Sequence, residues 1–372
     1  MMLFILNIKK KENYMKYKML GRSGLKVSEL ALGTMTFGEE WGWGAPKDEC
    51  RRMYEAYREA GGNFIDTANR YTEGTSEKFV GEFIRPERDQ IILATKYTSA
   101  SRKGDPNSAG NSRKNMVQAL DASLMRLGVE YIDLYWLHAW DYLTPVEEVM
   151  RAFDDMVRMG KVLYIGISDT PAWIVSRANM LAELRGWNPF IALQIEYSLI
   201  ERTVERELLP MAKELGMAVT SWAALGGGLL TGKYNYDTPE PRRMNSADSR
   251  RLNEHNLNIA RETINVASEI NKSPAQVAIN WVRQKSPNII PIIGARTIGQ
   301  LKDNMAALDF TLSDEQRRRL DNVSKVDLGF PHQFLSTDFI KDILYAGTYD
   351  KIEKKQAPTK NVEEMMEAAA MH

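Results

Sequence analysis

The chain has 372 residues, 44% of them apolar, and its 49 basic residues are balanced by 49 acidic ones. This length and apolar fraction suffice for the core of one large domain or of two ordinary ones. A net charge near zero gives no field that would attract nucleic acid or an anionic membrane, so neither is expected as a partner. The single cysteine, Cys50, excludes an internal disulfide framework and is typical of a reducing cytosol.

The N-terminal segment, "MMLFILNIKKKENYM", begins apolar and becomes basic. A signal peptide has its charges first and a longer apolar core, and a membrane span needs about 20 apolar residues. We therefore expect a cytoplasmic protein without membrane insertion. Residues 1–15 are interpreted as an N-terminal extension, residues 16–325 as the folded domain and residues 326–372 as a C-terminal tail.

Eight short, β-prone apolar segments follow one another after residue 28. In chain order they are "ELALGTM", "NFIDTA", "IILATKY", "YIDLYWLH", "VLYIGIS", "IALQIEYS", "AVTSWAA" and "NIIPIIGA". Their nearly unbroken hydrophobicity is typical of strands that are buried on both faces in a parallel sheet.

Segments with helical periodicity lie between the predicted strands, among them residues 46–61, 112–128, 144–160, 204–216 and 273–285. In the second of these segments, Ser112 is the expected N-cap and Gly128 the expected stop. In the fourth, Pro210 is the candidate position of a kink.

The alternation of eight strands with helices predicts an α/β fold, a (β/α)8 TIM barrel. A doubly wound sheet would carry a Gly-rich phosphate turn after its first strand, and "ALGTMTFG" lacks that pattern. The stretch 226–255, after the seventh strand, is too long for a routine loop. Loops of that length are usually functional lids or disordered.

Four polar residues stand at or just after the ends of three predicted strands: Asp66, Tyr71, Lys96 and His138. Each alone has an ordinary explanation, such as a turn aspartate, a solvated lysine or a core histidine. In a barrel, however, neighbouring strands would bring all four to one rim. An ammonium beside a phenol lowers the phenol pKa, a carboxylate holds that ammonium charged, and a histidine can orient a substrate oxygen. The set predicts a general acid for the reduction of a carbonyl.

The motifs "NFIDTANRY", "ILATKY" and "DLYWLH" resemble the catalytic tetrad of the aldo-keto reductase family, and the resemblance covers nearly all of residues 16–325. It implies that Tyr71 is the proton donor and that Lys96 adjusts its pKa. Asp66 would be the partner of Lys96, and His138 would orient the substrate. The family binds NADP(H) in an extended form across the barrel mouth, without a Rossmann unit.

The resemblance further implies a set of NADP(H)-binding residues, in which Asp66 is included. Those expected at the nicotinamide are Thr34, Met35, Ser168, Asp169, Gln194 and the stacking ring of Trp222. Many relatives have Ser-Pro-Leu after this aromatic residue, whereas this chain has Ala223, Ala224 and Leu225. The pyrophosphate is assigned to Gly227, Gly228, Lys233 and Arg243, and the adenosine end to Gly294, Arg296, Gln300, Asp303 and Asn304. Arg296 favours NADPH over NADH, because a planar guanidinium suits the 2′-phosphate.

Aromatic residues are the candidates for the substrate pocket, namely Trp41, Trp43, Trp140 and Phe330. Core packing is the alternative explanation for aromatic residues at these positions. An aromatic lining favours aryl or other apolar carbonyl compounds as the small-molecule substrate.

Two alternatives to a reductase stay open. The same motifs resemble NADPH-binding regulatory subunits of potassium channels, which have little turnover. Lys96 could also serve as the Schiff-base nucleophile of an aldolase-like barrel. The sequence leaves open the substrate, the direction of the reaction and whether the chain forms a homo-oligomer.

Overall fold

The computed structural model describes residues 15–235 and 250–353. The chain divides into two compact units, residues 1–326 and residues 327–372. The N-terminal extension predicted for residues 1–15 falls almost entirely outside the described residues. Within the described ranges, every helix is too short or too polar to cross a membrane.

The first unit is a closed barrel of eight parallel strands, preceded by an antiparallel hairpin of two strands, β1 (Tyr17–Met19) and β2 (Lys26–Ser28). The barrel strands are β3 (Ala31–Gly33), β4 (Phe64–Asp66), β5 (Ile92–Tyr97), β6 (Ile132–Leu137), β7 (Val162–Ser168), β8 (Ala192–Glu196), β9 (Ala218–Trp222) and β10 (Ile289–Ile293). Strand β10 pairs with β3 and closes the barrel. All eight lie inside the eight segments predicted as strands, and the predicted (β/α)8 barrel is confirmed.

Helices follow most of the strands. The first unit contains α1 (Lys47–Glu59), α2 (Thr75–Ile84), α3 (Arg113–Leu127), α4 (Val146–Arg158), α5 (Ala172–Arg185), α6 (Leu208–Glu214), α7 (Glu254–Glu269), α8 (Pro274–Lys285), α9 (Ile298–Met305) and α10 (Asp314–Val323). The second unit contains α11 (His332–Ser336) and α12 (Asp338–Tyr345).

Helix α3 has the predicted capping residues, whereas α6 differs from its prediction at Pro210. The Ser112 side chain accepts a hydrogen bond from the backbone N–H of Asn115, and Gly128 ends α3 in the left-handed conformation. Helix α6 begins at Leu208, later than predicted, so Pro210 lies in its first turn. Backbone N–H groups in a first turn have no partner within the helix, and Pro210 therefore removes no hydrogen bond there.

The β1–β2 hairpin closes the N-terminal end of the barrel. Leu20 and Val27 are fully buried in an apolar cluster with the first residues of several barrel strands. The Lys18 Nζ donates a hydrogen bond of 2.9 Å to the carbonyl of Ile289, at the start of β10. A Cβ on Gly21 would lie 2.2 Å from the Ile191 carbonyl oxygen, so only glycine permits this close approach.

The interior above the hairpin is filled by side chains. Trp136 is fully buried, and a Cβ on Gly166 would lie 2.3 Å from its ring. The large ring on β6 is thus accommodated by a glycine on β7. This layer is packed with apolar side chains, and the polar side chains of the predicted site lie towards the opposite end of the barrel, where the strands end.

Candidate active site

The strand register places the predicted site residues on the inner face of the barrel. Lys96 is paired with the inward-facing Trp136, and Asp66 is paired with Ala94, two residues before Lys96. Side chains two residues apart on a strand share a face. By the same alternation, three further residues of the predicted site face the inside of the barrel. They are Ser168 on β7, two residues after Gly166; Gln194 on β8, two after Ala192; and Trp222 on β9, two after Thr220.

Lys96 is the centre of the site. Its side chain is completely buried, and its ammonium donates to Asp66 Oδ1, to the Thr67 carbonyl at 2.8 Å and to the Tyr71 hydroxyl at 3.2 Å. Burial is the largest single effect and opposes the charge, but Asp66 and Tyr71 together outweigh it and raise the pKa of Lys96 above its ordinary value. All three N–H groups have acceptors, so no lone pair is available for a Schiff base, which argues against the aldolase alternative.

Asp66 is held from the opposite side of the barrel. Its second oxygen, Oδ2, accepts a hydrogen bond of 3.0 Å from Gln194 Nε2. The Thr34 hydroxyl, fully buried, donates to the Asp66 carbonyl at 3.0 Å. The resemblance implied that Gln194 and Thr34 face the nicotinamide. The structure places both on Asp66, where they fix the carboxylate that faces Lys96.

Tyr71 begins a short helical turn, Tyr71–Gly74, in an unusual conformation. Thr72 and Glu73 have φ angles of 45° and 55°, a region that costs energy for residues other than glycine. The Thr72 hydroxyl donates to the Phe37 carbonyl at 2.6 Å and thereby holds this turn. Burial raises the pKa of Tyr71, and the opposing effect of Lys96 is smaller. The expected fall in pKa is therefore not found, and the phenol is protonated at neutral pH.

His138 directly follows β6, and its ring lies 6.0 Å from the Tyr71 ring in an edge-on arrangement. Burial, aided by the charge of Lys96, lowers the pKa of His138 to about 3, so the imidazole is neutral. Its Nδ1 is 3.4 Å from the Ser99 hydroxyl, and its backbone N–H donates to Thr98 Oγ1 at 3.3 Å. A ring that accepts from Ser99 on Nδ1 carries its proton on Nε2. Neither Ser99 nor Thr98 was predicted as part of the site, although both directly follow the strand that carries Lys96.

The ends of β7, β8 and β9 enclose a cavity of about 340 Å³, whose lining includes Asp169, Glu196 and Trp222. Trp222 Nε1 donates to Asp169 Oδ1 at 3.1 Å. Burial raises the pKa of Asp169 to about 6, and the neighbouring Glu196 adds to this rise. Ser168 is buried beside Gln194, in register with it, and Met35 is half-buried in the loop after β3.

The glycine run after β9 adopts a backbone that side chains disfavour. Gly226, Gly227 and Gly228 have φ angles of 57°, 70° and 96°, within the turn Gly226–Thr231. Ala223 also has a positive φ, 54°, and Leu225 packs on the main core. The Lys233 ammonium lies 5.6 Å from the centre of the Tyr234 ring. Arg243 lies outside the described residues.

The predicted adenosine-end residues divide into two groups. In the described part of the chain, the Arg296 guanidinium makes neither an ion pair nor a hydrogen bond, and its backbone N–H donates to Gln300 Oε1 at 2.9 Å. By contrast, the two Asp303 oxygens accept hydrogen bonds from Ser273, the N-cap of α8, and from Gln276 in its first turn. The buried Asn304 amide donates to the Gly294 carbonyl at 3.2 Å. Arg296 is thus available to a ligand, whereas Asp303 and Asn304 hold the fold together.

Aromatic residues line one side of the mouth. The Trp41 ring lies edge-on to Tyr71 at 6.5 Å and 5.6 Å from Trp43, and its Nε1 donates to Glu73 Oε1 at 3.0 Å. Trp140 packs on the main core, and its backbone N–H donates to the Asp169 carbonyl at 3.5 Å. Phe330 belongs to the second unit, where its ring lies 5.9 Å from that of Phe334.

These features define a (β/α)8-barrel protein with an acid–base site at the C-terminal ends of its strands. The chain belongs to the aldo/keto reductase family, whose match covers residues 29–325. It is 38% identical to an aryl-alcohol dehydrogenase [NADP(+)] of Phanerodontia chrysosporium over 360 residues, which is 90% of this chain and 92% of that protein.

Two further relatives are norsolorinic acid reductases. The protein of Aspergillus flavus is 39% identical over 325 residues, 84% of this chain and 82% of the relative. Norsolorinic acid reductase B of Dothistroma septosporum is 36% identical over 340 residues, 87% of this chain and 85% of the relative.

Proposed function

We propose that this protein is an NADP(H)-dependent oxidoreductase that reduces aldehyde and ketone carbonyls to alcohols. The observation that carries the proposal is the Tyr71 hydroxyl, 3.2 Å from a fully buried lysine that a carboxylate holds charged. A protonated phenol beside an ammonium is a general acid aimed at a developing alkoxide.

The residues at the mouth fit a phosphorylated dinucleotide. Arg296 offers a guanidinium with no partner in the described residues, which suits a 2′-phosphate. Gly227 and Gly228 are half-buried in the left-handed conformation and carry no Cβ, which permits the close approach of a pyrophosphate to their backbone. NADP(+) appears in the name of the Phanerodontia chrysosporium relative, which agrees with this assignment.

When bound, NADPH supplies the hydride for the carbonyl carbon. The protein supplies the proton and the electrostatic environment. Tyr71 donates its proton to the carbonyl oxygen, and the Lys96 ammonium stabilises the phenolate that remains. Neutral His138 can donate a hydrogen bond from Nε2 to the same oxygen without adding a second positive charge near Lys96.

Aromatic carbonyl compounds are the proposed substrate class. The Trp41 indole beside Tyr71 offers a rigid surface against which a flat ring can pack next to the proton donor. The printed names of the relatives, an aryl-alcohol dehydrogenase and two norsolorinic acid reductases, support the same class.

The test is an absorbance assay of NADPH oxidation with aromatic, aliphatic and sugar carbonyls. Tyr71→Phe removes the proton donor, so we expect turnover to fall by at least about 100-fold, while the Kd for NADPH changes by less than about threefold. The matched control is Tyr164→Phe, a phenol that packs on the apolar cluster near the closed end of the barrel. Full activity of Tyr71→Phe would refute the assignment of the acid.

A further inference from the structure

Asp169 connects the ends of three strands. It directly follows β7, and its backbone N–H donates to the Gln194 carbonyl on β8 at 3.2 Å. Its own carbonyl accepts a hydrogen bond of 3.5 Å from the backbone N–H of Trp140, in the loop after β6. Its side chain accepts from Trp222 Nε1, at the end of β9. A single residue therefore ties the indole of Trp222 to the neighbouring strands.

The backbone of Asp169 is held in place for this contact. Its φ angle is 40°, in the left-handed region that aspartate and asparagine tolerate better than most residues. The two backbone hydrogen bonds maintain that conformation. The carboxylate is thus aimed at the indole by the strand ends and not by a freely rotating side chain.

The indole of Trp222 depends on this contact for its orientation. Tryptophan has a single N–H donor, and for Trp222 the structure directs that donor to Asp169 Oδ1. The ring is only half-buried at the mouth, so packing leaves part of it unsupported. Losing the acceptor would free the ring to rotate about its side-chain bonds.

We propose that Asp169 is a positioning residue whose carboxylate fixes the Trp222 indole as a platform for the nicotinamide. The inference rests on the proposed function in one respect, that the protein binds NADP(H). It assigns to Asp169 a role that acts through Trp222, without contact between its carboxylate and the cofactor.

A double-mutant cycle on cofactor binding tests the proposal. The variants are Asp169→Ala, Trp222→Phe and the double variant, and calorimetry gives the Kd for NADPH. Trp222→Phe keeps an aromatic ring but removes the N–H. We expect Asp169→Ala to weaken NADPH binding by about 5- to 30-fold in the wild type and by less than about twofold in the Trp222→Phe background.

Backbone strain from alanine at position 169 affects the Kd equally in the wild type and in Trp222→Phe. It therefore cancels when the two changes in Kd are compared. Asp169→Asn keeps an acceptor oxygen, so we expect its Kd to lie within about threefold of the wild type. Thermal melts verify folding, and Asp169→Ser replaces the alanine variant if that variant does not fold. Equal losses in the two backgrounds, or an asparagine variant as weak as the alanine variant, would overturn the proposal. If the wild type itself does not bind NADPH, the proposed function fails instead.

Discussion

At the scale of single residues, the protonation of Tyr71 has the clearest consequence. Burial raises its pKa, so at neutral pH the phenol holds the proton that the proposed carbonyl reduction needs. Alcohol oxidation needs the phenolate as a base, and its fraction grows about tenfold per pH unit below the pKa. We expect the oxidation rate to rise steadily from pH 7 to pH 9.5, while the reduction rate stays nearly flat. Rates in both directions with one alcohol–aldehyde pair check this, and an oxidation optimum below pH 8 would contradict it.

Arg296 is the residue that should distinguish the two nicotinamide dinucleotides. Its guanidinium has no partner in the described residues, so it meets a phosphate without first breaking an ion pair. A charge-assisted hydrogen bond contributes about 1.5–3 kcal/mol, so Arg296→Ala should weaken NADPH by roughly 10- to 100-fold and NADH by less than about threefold. Calorimetric Kd values measure both. The control is Lys302→Ala, which removes an exposed cation on helix α9, just after Arg296 in the chain. Equal losses for the two cofactors would refute the contact between Arg296 and the 2′-phosphate.

The sequence predicted that four polar residues meet at one rim of the barrel, which the structure shows, but not the further contacts that these residues make. Asp66, Lys96 and His138 could be predicted because strand ends of a barrel meet at one rim. The bond from Gln194 to Asp66 crosses the barrel between residues 128 positions apart, and it depends on the strand register. The rise in the pKa of Tyr71 was not foreseen, because the extent of burial follows from packing that a local motif does not encode.

At the scale of secondary-structure elements, Gly81 makes a specific packing test available. A Cβ on Gly81, in α2, would lie 2.1 Å from the Leu127 carbonyl oxygen at the end of α3. Gly81→Ala must push the two helices apart, and overpacking of this kind costs about 1–3 kcal/mol. In α9, a Cβ on Gly299 would have only one neighbour within 4 Å, at 3.9 Å, so Gly299→Ala should be neutral or slightly stabilising. Urea unfolding compares the two variants, and equal effects would contradict the helix contact.

The elements that were predicted differ physically from those that were missed. The barrel strands have unbroken apolar runs, which local sequence reveals. Helix α5 lacks a polar face, since Trp173, Met180 and Leu184 are exposed on its outer side at 62%, 55% and 75%, so it shows no amphipathic period. The hairpin strands have three residues each, as β3 and β4 do, but they mix polar with apolar side chains and so show no apolar run.

At the scale of the whole molecule, His138 links stability to pH. Its pKa is about 3 in the folded state and near 6.5 when unfolded, so only the unfolded chain takes up a proton between these values. The free energy of unfolding should therefore fall as the pH drops from 6.5 towards 3. Asp169 has the opposite effect on the free energy of unfolding between pH 6 and about 4. Its pKa is raised in the folded state, so in this range the folded protein binds a proton that the unfolded chain does not.

The variant His138→Asn isolates the histidine contribution from the opposing aspartate. We expect the wild type to lose stability relative to this variant by up to about 1.4 kcal/mol per pH unit below pH 6.5. Urea unfolding followed by tryptophan fluorescence at pH 7, 6 and 5 measures the difference. His255→Asn, on the exposed start of α7, is the matched control. Parallel pH profiles of the wild type and His138→Asn would exclude the histidine as the cause.

The hairpin at the base of the barrel has a kinetic corollary. Because the hairpin closes that end, a ligand that reaches Lys96 and Tyr71 enters through the opposite opening and leaves by the same route. Substrate and product that share one passage obstruct each other, so product release can limit the rate of turnover. If the protein reduces carbonyls as proposed, an alcohol that leaves this passage slowly delays the next turnover, so we expect accumulated alcohol to inhibit the enzyme.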